Sequence, residues 1–353
     1  MNHAGRVSKL MEGLERPLLV TNLTNIRYLT GFTGTAAYLY VTAGGCTFLT
    51  DGRYGEVAGA LIADLPRASL EVSTTGMLRP IASVIDPAEE VDIEADHATW
   101  SFVRSLRDLT SARLRPATGI VERQRMVKDA EEVAALRSAA AAGDAAFDAL
   151  DDLIQGEITE GELGERLVAA MRATGASPAA WPPIVAMDAN AARPHHRAGT
   201  ALVGEGLLLM DYGCVVDGYH SDMTRTVWRG PLNDPEVEEV YAAVLEASEA
   251  GIAAALQGAV AGDVDAACRA VLDDRGYLEA FVHSTGHGVG LDIHEGPSVR
   301  NGSDQVLEAG NVVTIEPGVY LPDRFGVRIE DMVLVTPAGN EVLTQASKEL
   351  HRT

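Results

Sequence analysis

The spacing of apolar and polar positions changes along the chain. In the first third, short apolar runs bounded by turn residues predict strands: RPLLVTN at 16–22, then AAYLYVTAGGCTFLTDGR at 36–53, with Gly44 and Gly45 closing a hairpin between two apolar halves. This is the pattern of a mixed α/β unit. In RLRPATGIVERQRMVKDAEEVAALRSAAAAGDAAF, residues 113–147, Pro116 and Gly119 punctuate and a helical period rich in Ala and Glu takes over. The boundary falls between residues 118 and 125, giving one domain of residues 1–122 and a second of 123–353. Further on, Asp234 and Pro235 read as the N-cap and first residue of a helix with Val237, Val240, Tyr241 and Val244 on one face and Gly258 as its stop. Another helix starts near Asp263, with Val264, Ala267, Cys268, Val271 and Leu272 on one face and Gly276 behind it.

Two stretches with strand alternation carry acids. In MDYGCVVDGYHSDMTRT, residues 210–226, Asp217-Gly218 is a two-residue hairpin signal, and with those two at the centre of the turn Gly213 faces Asp222. Positions two apart on a strand share a face with their cross-strand partners, so Asp211 and Asp222 become diagonal neighbours, with β-carbons about 7–8 Å apart. Both carboxylates then reach one ion, and Gly213 leaves the space between them open. In VVTIEPGVYLPDRFGVRIEDMVLV, residues 312–335, Val313 and Ile315 point one way and Thr314 and Glu316 the other, while Val327 and Ile329 alternate with Arg328 and Glu330. The loop length leaves the register of this second hairpin open. Taken singly, each acid also fits the solvated face of an amphipathic hairpin. Four together inside apolar strands are prohibitively costly unless cations neutralise them.

HSTGHGVGLDIHEG, residues 283–296, adds three histidines among four glycines. His283 and His287 have the spacing of a zinc-protease HExxH helix, but position 284 is Ser, and Gly286, Gly288 and Gly290 oppose a helix. An extended glycine-rich strand or turn brings His287 close to an ion instead. A histidine among oxygen donors favours manganese, iron, cobalt or zinc over calcium. His195 and His196 follow Pro194, and one of the two has the alternative of a surface hydrogen bond. Phosphate-loop, dinucleotide and GxSxG signatures are absent.

Composition removes other classes. With 51 acidic against 28 basic residues the net charge is -23, and no Lys/Arg stripe offers itself to nucleic acid. Cys46, Cys214 and Cys268 are odd in number and far apart, which reads as reduced apolar filler. No stretch of about 18 apolar residues predicts a membrane span. Without a signal-like start either, the expectation is a cytoplasmic protein.

In chain order, MDYG with Asp211, HSDMTRT with Asp222, HSTGHGVG with His287, TIEPG with Glu316 and VRIED with Glu330 resemble the pita-bread metallopeptidase family, in its proline-specific branch of Xaa-Pro aminopeptidases and Xaa-Pro dipeptidases (prolidases). TNIRYLTGFTGTAAYLYV and LTDGRYGEVA look like the family's creatinase-type N-terminal domain. The resemblance implies an α/β (α+β) chain, a creatinase-like mixed α/β domain followed by a pita-bread catalytic domain. It implies two divalent ions, manganese first with zinc, cobalt or iron also suited, held by Asp211, Asp222, His287, Glu316 and Glu330. It assigns proton transfer to Glu316, oxyanion stabilisation and backbone contacts to His195 and His294, and the proline pocket to His283. Arg328 stands on the substrate side and orients carboxylates. Short proline-containing peptides and a homodimer are the implied partners. In the dipeptidases an Arg commonly follows the proline after the motif's second histidine; IHEGPSVR has Ser298 there and Arg300 two positions on. The departure favours an Xaa-Pro aminopeptidase, with the dipeptidase as alternative and a non-catalytic binding module as a remote one.

Overall fold

Leu18–Val20, an all-apolar run, lies inside a six-stranded sheet in the order Ala68–Ser73, Gly45–Asp51, Ala37–Thr42, Leu18–Val20, Glu90–Glu94, Arg113–Ala117. It runs antiparallel to Ala37–Thr42 and parallel to Glu90–Glu94, so the sheet is mixed. The hairpin predicted at 36–53 is present. Its turn is Ala43-Gly44 rather than Gly44-Gly45, because Thr42 pairs with Gly45 and the Thr42 hydroxyl accepts the Gly44 N–H at 3.0 Å. The computed structural model describes residues 1–178, 181–232 and 234–352. Its contacts divide the chain into Met1–Arg125 and Met126–Thr353, against the 122/123 of the sequence reading. That division lies in helix Ile120–Met126, which follows Gly119 at a φ of 66°.

In the second unit, helices cover two sheets. Helix Ala130–Asp148, started by an Asp129/Glu132 capping box, and helix Glu160–Ala173 pack on the sheet that contains Ile184–Met187, Gly206–Tyr212 and Met223–Arg229. Helices Pro235–Ala254 and Ala261–Asp274 pack on the sheet ordered Glu295–Val299, Gly286–Gly288, Val312–Ile315, Asp331–Thr336, Gly339–Val342. Asp234 caps the first of these helices as predicted, and Val237, Val240, Tyr241 and Val244 are buried. That helix ends at Ala254, short of Gly258, whose N–H is taken by the Leu307 carbonyl at 2.8 Å. Among the described residues no helix is long and apolar enough to cross a membrane.

The Asp217-Gly218 turn has φ values of 52° and 92°, the left-handed pair that a type I′ hairpin needs. The predicted register follows: Asp211 lies opposite Thr224, Tyr212 opposite Met223 and Val215 opposite His220. The second stretch is also a hairpin, with Ile315 opposite Asp331 and Gly318 opposite Arg328. One expectation fails. Gly213 does not leave open space, since a β-carbon there would collide with the Ser221 carbonyl and sit 3.0 Å from the Trp181 ring.

Gly286 and Gly288 have the same cause. Each lies where a β-carbon would strike a neighbouring backbone carbonyl, of Thr314 and of Gly296 respectively. The strand carrying His287 is therefore squeezed between two others, Glu295–Val299 and Val312–Ile315. Gly286→Ala should destabilise the second unit by about 1–3 kcal/mol, the usual penalty for overpacking. A denaturant midpoint equal to wild type would contradict this packing.

Candidate metal centre

Alternation along the strands sorts the side chains onto two faces. Met210, Tyr212, Met223 and Val227 point to the helix-covered core, which sends Asp211, Asp222, Thr224 and Thr226 to the other face. In the second hairpin Val313, Ile315, Val327 and Ile329 are core, as the sequence pattern predicts, and Thr314, Glu316, Arg328 and Glu330 face away from it. The two hairpins meet at an isolated bridge between Thr224 and Glu330. There the Glu330 N–H donates to the Thr224 carbonyl at 3.1 Å, and the Thr224 hydroxyl donates to Glu330 Oε2 at 2.7 Å.

Asp222, His287 and Glu330 each bring one donor atom to within 4.8 Å of the others. His287 Nε2 lies 3.7 Å from Asp222 Oδ2 and 3.5 Å from Glu316 Oε1, separations longer than hydrogen bonds. The opposite ring nitrogen, Nδ1, faces the Gly288 carbonyl at 3.0 Å, which places the proton on Nδ1 and leaves the Nε2 lone pair aimed at the acids. The His287 main-chain N–H donates to the Thr314 hydroxyl at 3.0 Å, and that hydroxyl donates to Glu316 Oε1 at 3.2 Å.

Electrostatics mark the cluster as short of positive charge. Burial pushes the Glu316 carboxyl up to about 8, against the pull of Arg328 and with help from Asp211. Asp222 and Glu330 are driven well above the carboxylate range, first by burial and then by the acids around them. Burial also pushes His287 down to about 4, so the ring is neutral and able to coordinate. Buried acids and a neutral imidazole fit divalent cations, which supply the missing charge.

Arg328 is the counter-charge the protein itself provides. It donates to Asp211 Oδ2 at 2.6 Å, to the Thr224 hydroxyl at 3.0 Å and to the Tyr320 hydroxyl at 2.7 Å. Burial opposes its charge, but Tyr320 and the surrounding carboxylates hold it protonated. Tyr320 passes the chain on to His283 Nε2 at 2.8 Å, while His283 Nδ1 faces the Ser284 carbonyl at 2.8 Å. Both nitrogens of His283 are thus engaged, and burial followed by Arg328 pushes its pKa down to about 4. His283 has no ring N–H left to offer, and Arg328 is spent on protein groups. Sequence reasoning misses Tyr320, Thr224 and Thr314, neutral residues whose strand positions carry no charge signal.

The acids open into a cavity of about 680 Å³. Trp181, Ile184, Pro194 and Ile293 form its apolar lining, and His195, His283, His294 and Ser298 its polar one. The His294 ring stands edge-on to His287 at 4.3 Å between centroids. His195 and His294 are both exposed. His196 turns away to Glu160 Oε2 at 2.8 Å, taking the structural role left open for one of that pair. Arg300 is exposed and is not part of the lining.

Comparison with known proteins agrees with this geometry. The profile described as metallopeptidase family M24 matches residues 134–337, and that of the creatinase/prolidase N-terminal domain matches residues 11–127. The uncharacterized peptidase YqhT of Bacillus subtilis is 34% identical over 94% of this chain and 94% of its own. Among solved structures, an Xaa-Pro dipeptidase from Bacillus anthracis superposes with a TM-score of 0.93 at 34% identity, covering 99% of both chains. An X-Pro aminopeptidase from Thermotoga maritima does so with a TM-score of 0.88 at 29% identity, covering 98% of this chain and 100% of that one. Two hairpins of acids around a neutral histidine, preceded by a six-stranded α/β domain, are thus a pita-bread catalytic domain behind a creatinase-type domain, and the chain belongs to metallopeptidase family M24.

Proposed function

We propose that the chain is an Xaa-Pro aminopeptidase, a hydrolase that removes the first residue from short peptides whose second residue is proline. Asp211, Asp222, His287, Glu316 and Glu330 hold two divalent ions in this reading, manganese first, with zinc, cobalt and iron suited by the same oxygen-rich set. When bound, the ions supply an activated water and polarise the scissile carbonyl. Glu316 takes the proton from that water and returns one to the leaving nitrogen, a role for which the Thr314 hydroxyl orients its carboxylate. His195 and His294, exposed in the cavity lining, stabilise the developing oxyanion and hold the peptide backbone. The acids hold the free α-amine, which fixes cleavage at the first bond. The proline ring has a fixed φ and its nitrogen no hydrogen, so it needs a shaped surface without a hydrogen-bond demand, a part assigned to His283, whose ring nitrogens are both taken. Arg328 keeps Asp211 oriented from behind. A homodimer is part of the same proposal, checked by light scattering.

One observation carries the choice of aminopeptidase. A dipeptidase must clamp the carboxylate of its second residue, most simply with a bidentate arginine. Among the described lining residues the one guanidinium is Arg328, already committed to Asp211, Thr224 and Tyr320, and Ser298 occupies the place where an arginine is expected. The dipeptidase reading draws its own support from the B. anthracis protein, which carries that name. With manganese added, release of free alanine should be efficient from Ala-Pro-Ala and weak from Ala-Pro; the reverse order would make the protein a prolidase.

Two further outcomes follow from the same assignment. Glu316→Gln at saturating manganese should lower kcat by about 100- to 10,000-fold, the usual worth of a positioned general base, while leaving KM within a few-fold. A fall confined to KM would remove Glu316 from proton transfer. In the metal-free protein, Glu316 is held at about 8 against an ordinary 4.5, so its contribution to stability is present at low pH and lost as pH rises through about 8. His283 and His287, pushed down to about 4 from 6.5, contribute fully above 6.5 and lose that contribution as pH falls toward 4. Between pH 6.5 and 8 the histidines stay neutral and only the acids move. The Tm in EDTA should therefore fall across that window, and manganese should abolish the fall. A Tm that is flat or rising in EDTA would contradict a crowded acid cluster.

A further inference from the structure

Behind the acids lies a second pair of charges for which the proposed reaction has no use. Arg225 follows Thr224 and points to the helix-covered face between Met223 and Val227; Asp331 follows Glu330 and points to its core between Ile329 and Val333. Alternation calls for apolar residues at both places. Both side chains are instead charged and fully buried, with Arg225 Nη2 2.7 Å from Asp331 Oδ1. Desolvation makes a buried ion pair a poor source of net stability, and its best-attested use is to fix register. Register needs fixing here, because an isolated bridge, Thr224 to Glu330, joins the hairpin of Asp211 and Asp222 to that of Glu316 and Glu330. Arg225 Nη1 donates to both carbonyls of that bridge, Thr224 O at 3.0 Å and Glu330 O at 2.6 Å. Its Nε and Nη2 also hold the Ala346 carbonyl, at 3.1 and 3.0 Å. Asp331 in turn accepts from the Thr344 hydroxyl at 2.7 Å and from Lys348 Nζ at 2.5 Å.

We propose that Arg225 and Asp331 are positioning residues for the metal centre: their ion pair sets the distance between the two acid-bearing hairpins, and the segment 344–348 is held as part of the same lock. The inference rests on the reading that these acids hold divalent ions, and it extends that reading to residues that touch neither ion nor substrate. A residue that merely stabilises the fold would lower the Tm and leave the coordination of the folded protein unchanged. A lock would change the coordination itself.

The test is Co²⁺ titration of metal-free wild type, Arg225→Lys and Asp331→Asn, well below each protein's Tm, following the visible absorption of the bound ion. Lysine keeps the charge but puts one nitrogen where three make five hydrogen bonds; asparagine keeps the shape and removes the counter-charge. Each variant should bind Co²⁺ about 10- to 100-fold more weakly, the usual effect of losing a group that orients a ligand, with a shifted absorption band. The kcat at saturating metal should fall more than KM rises. Asp331→Asn supplies the reading should Arg225→Lys fail to fold. A folded variant with wild-type affinity and band overturns the lock even if its Tm is lower. A wild type that takes up no Co²⁺ would instead overturn the metal reading.

Discussion

Four carboxylates converge on a space where, among the described residues, the guanidinium facing them is that of Arg328 and the buried imidazoles, His283 and His287, are neutral, and their mutual repulsion is the constraint on which the rest of the second unit turns. Left alone, such acids would swing apart or draw in water. They are held because every strand that carries them is fastened on its other face to a helix-covered core: Met210, Met223 and Val227 on one side, Val313, Ile315, Val327 and Ile329 on the other. The free energy of burying those apolar side chains opposes the electrostatic cost of the acids. Burial and mutual repulsion favour the protonated form of Glu316, Asp222 and Glu330, so on the proposed reading the same groups exchange protons for divalent ions.

Much of this was legible in the sequence because the relevant signals are local. Asp217-Gly218 is a turn that needs φ > 0 at both residues, and once it is placed, the register follows and puts Asp211 and Asp222 on one face. The second hairpin has no such anchor. Its loop, 322–324, turns through Asp323 at a φ of 61°, and regular pairing stops between Ile315 and Gly318, so counting residues did not yield a register. The two-face alternation was still readable there, and it placed Glu316 and Glu330 correctly opposite Ile315 and Ile329. Gly213 was misread because a missing side chain resembles space, when it marks the close approach of another backbone. Tyr320 lies beyond local reasoning: its role depends on His283, 37 residues earlier in the chain.

The bonding of the site residues explains why the remainder was not local. In a regular ladder each main-chain N–H goes to the strand partner. Here the Asp222 N–H points at Met332 Sδ at 3.4 Å, the His287 N–H at the Thr314 hydroxyl, the Glu316 N–H at the Thr285 carbonyl at 2.7 Å, and the Glu330 N–H at the Thr224 carbonyl. Asp222 and Glu330 are therefore keyed to elements outside their own hairpin, while His287 and Glu316 bond to Thr314 and Thr285, the positions that continue the Gly288–Val313 register. Ladder pairing is given up at Asp222 and Glu330, and the Glu330 amide ties the two hairpins to each other.

A consequence concerns which substitutions the centre can tolerate. An acid set by its own hairpin would respond only to changes within that hairpin. An acid set by cross-element bonds responds to whatever moves either element, including residues on the far face of the sheet and in the segment that ends the chain. Arg225 holds both the Ala346 carbonyl and the carbonyl of Thr224, two residues from Asp222. The geometry of the metal centre is in this sense a property of the whole second unit, which is why charged residues persist in its core at positions where the pattern of the strands asks for valine or isoleucine.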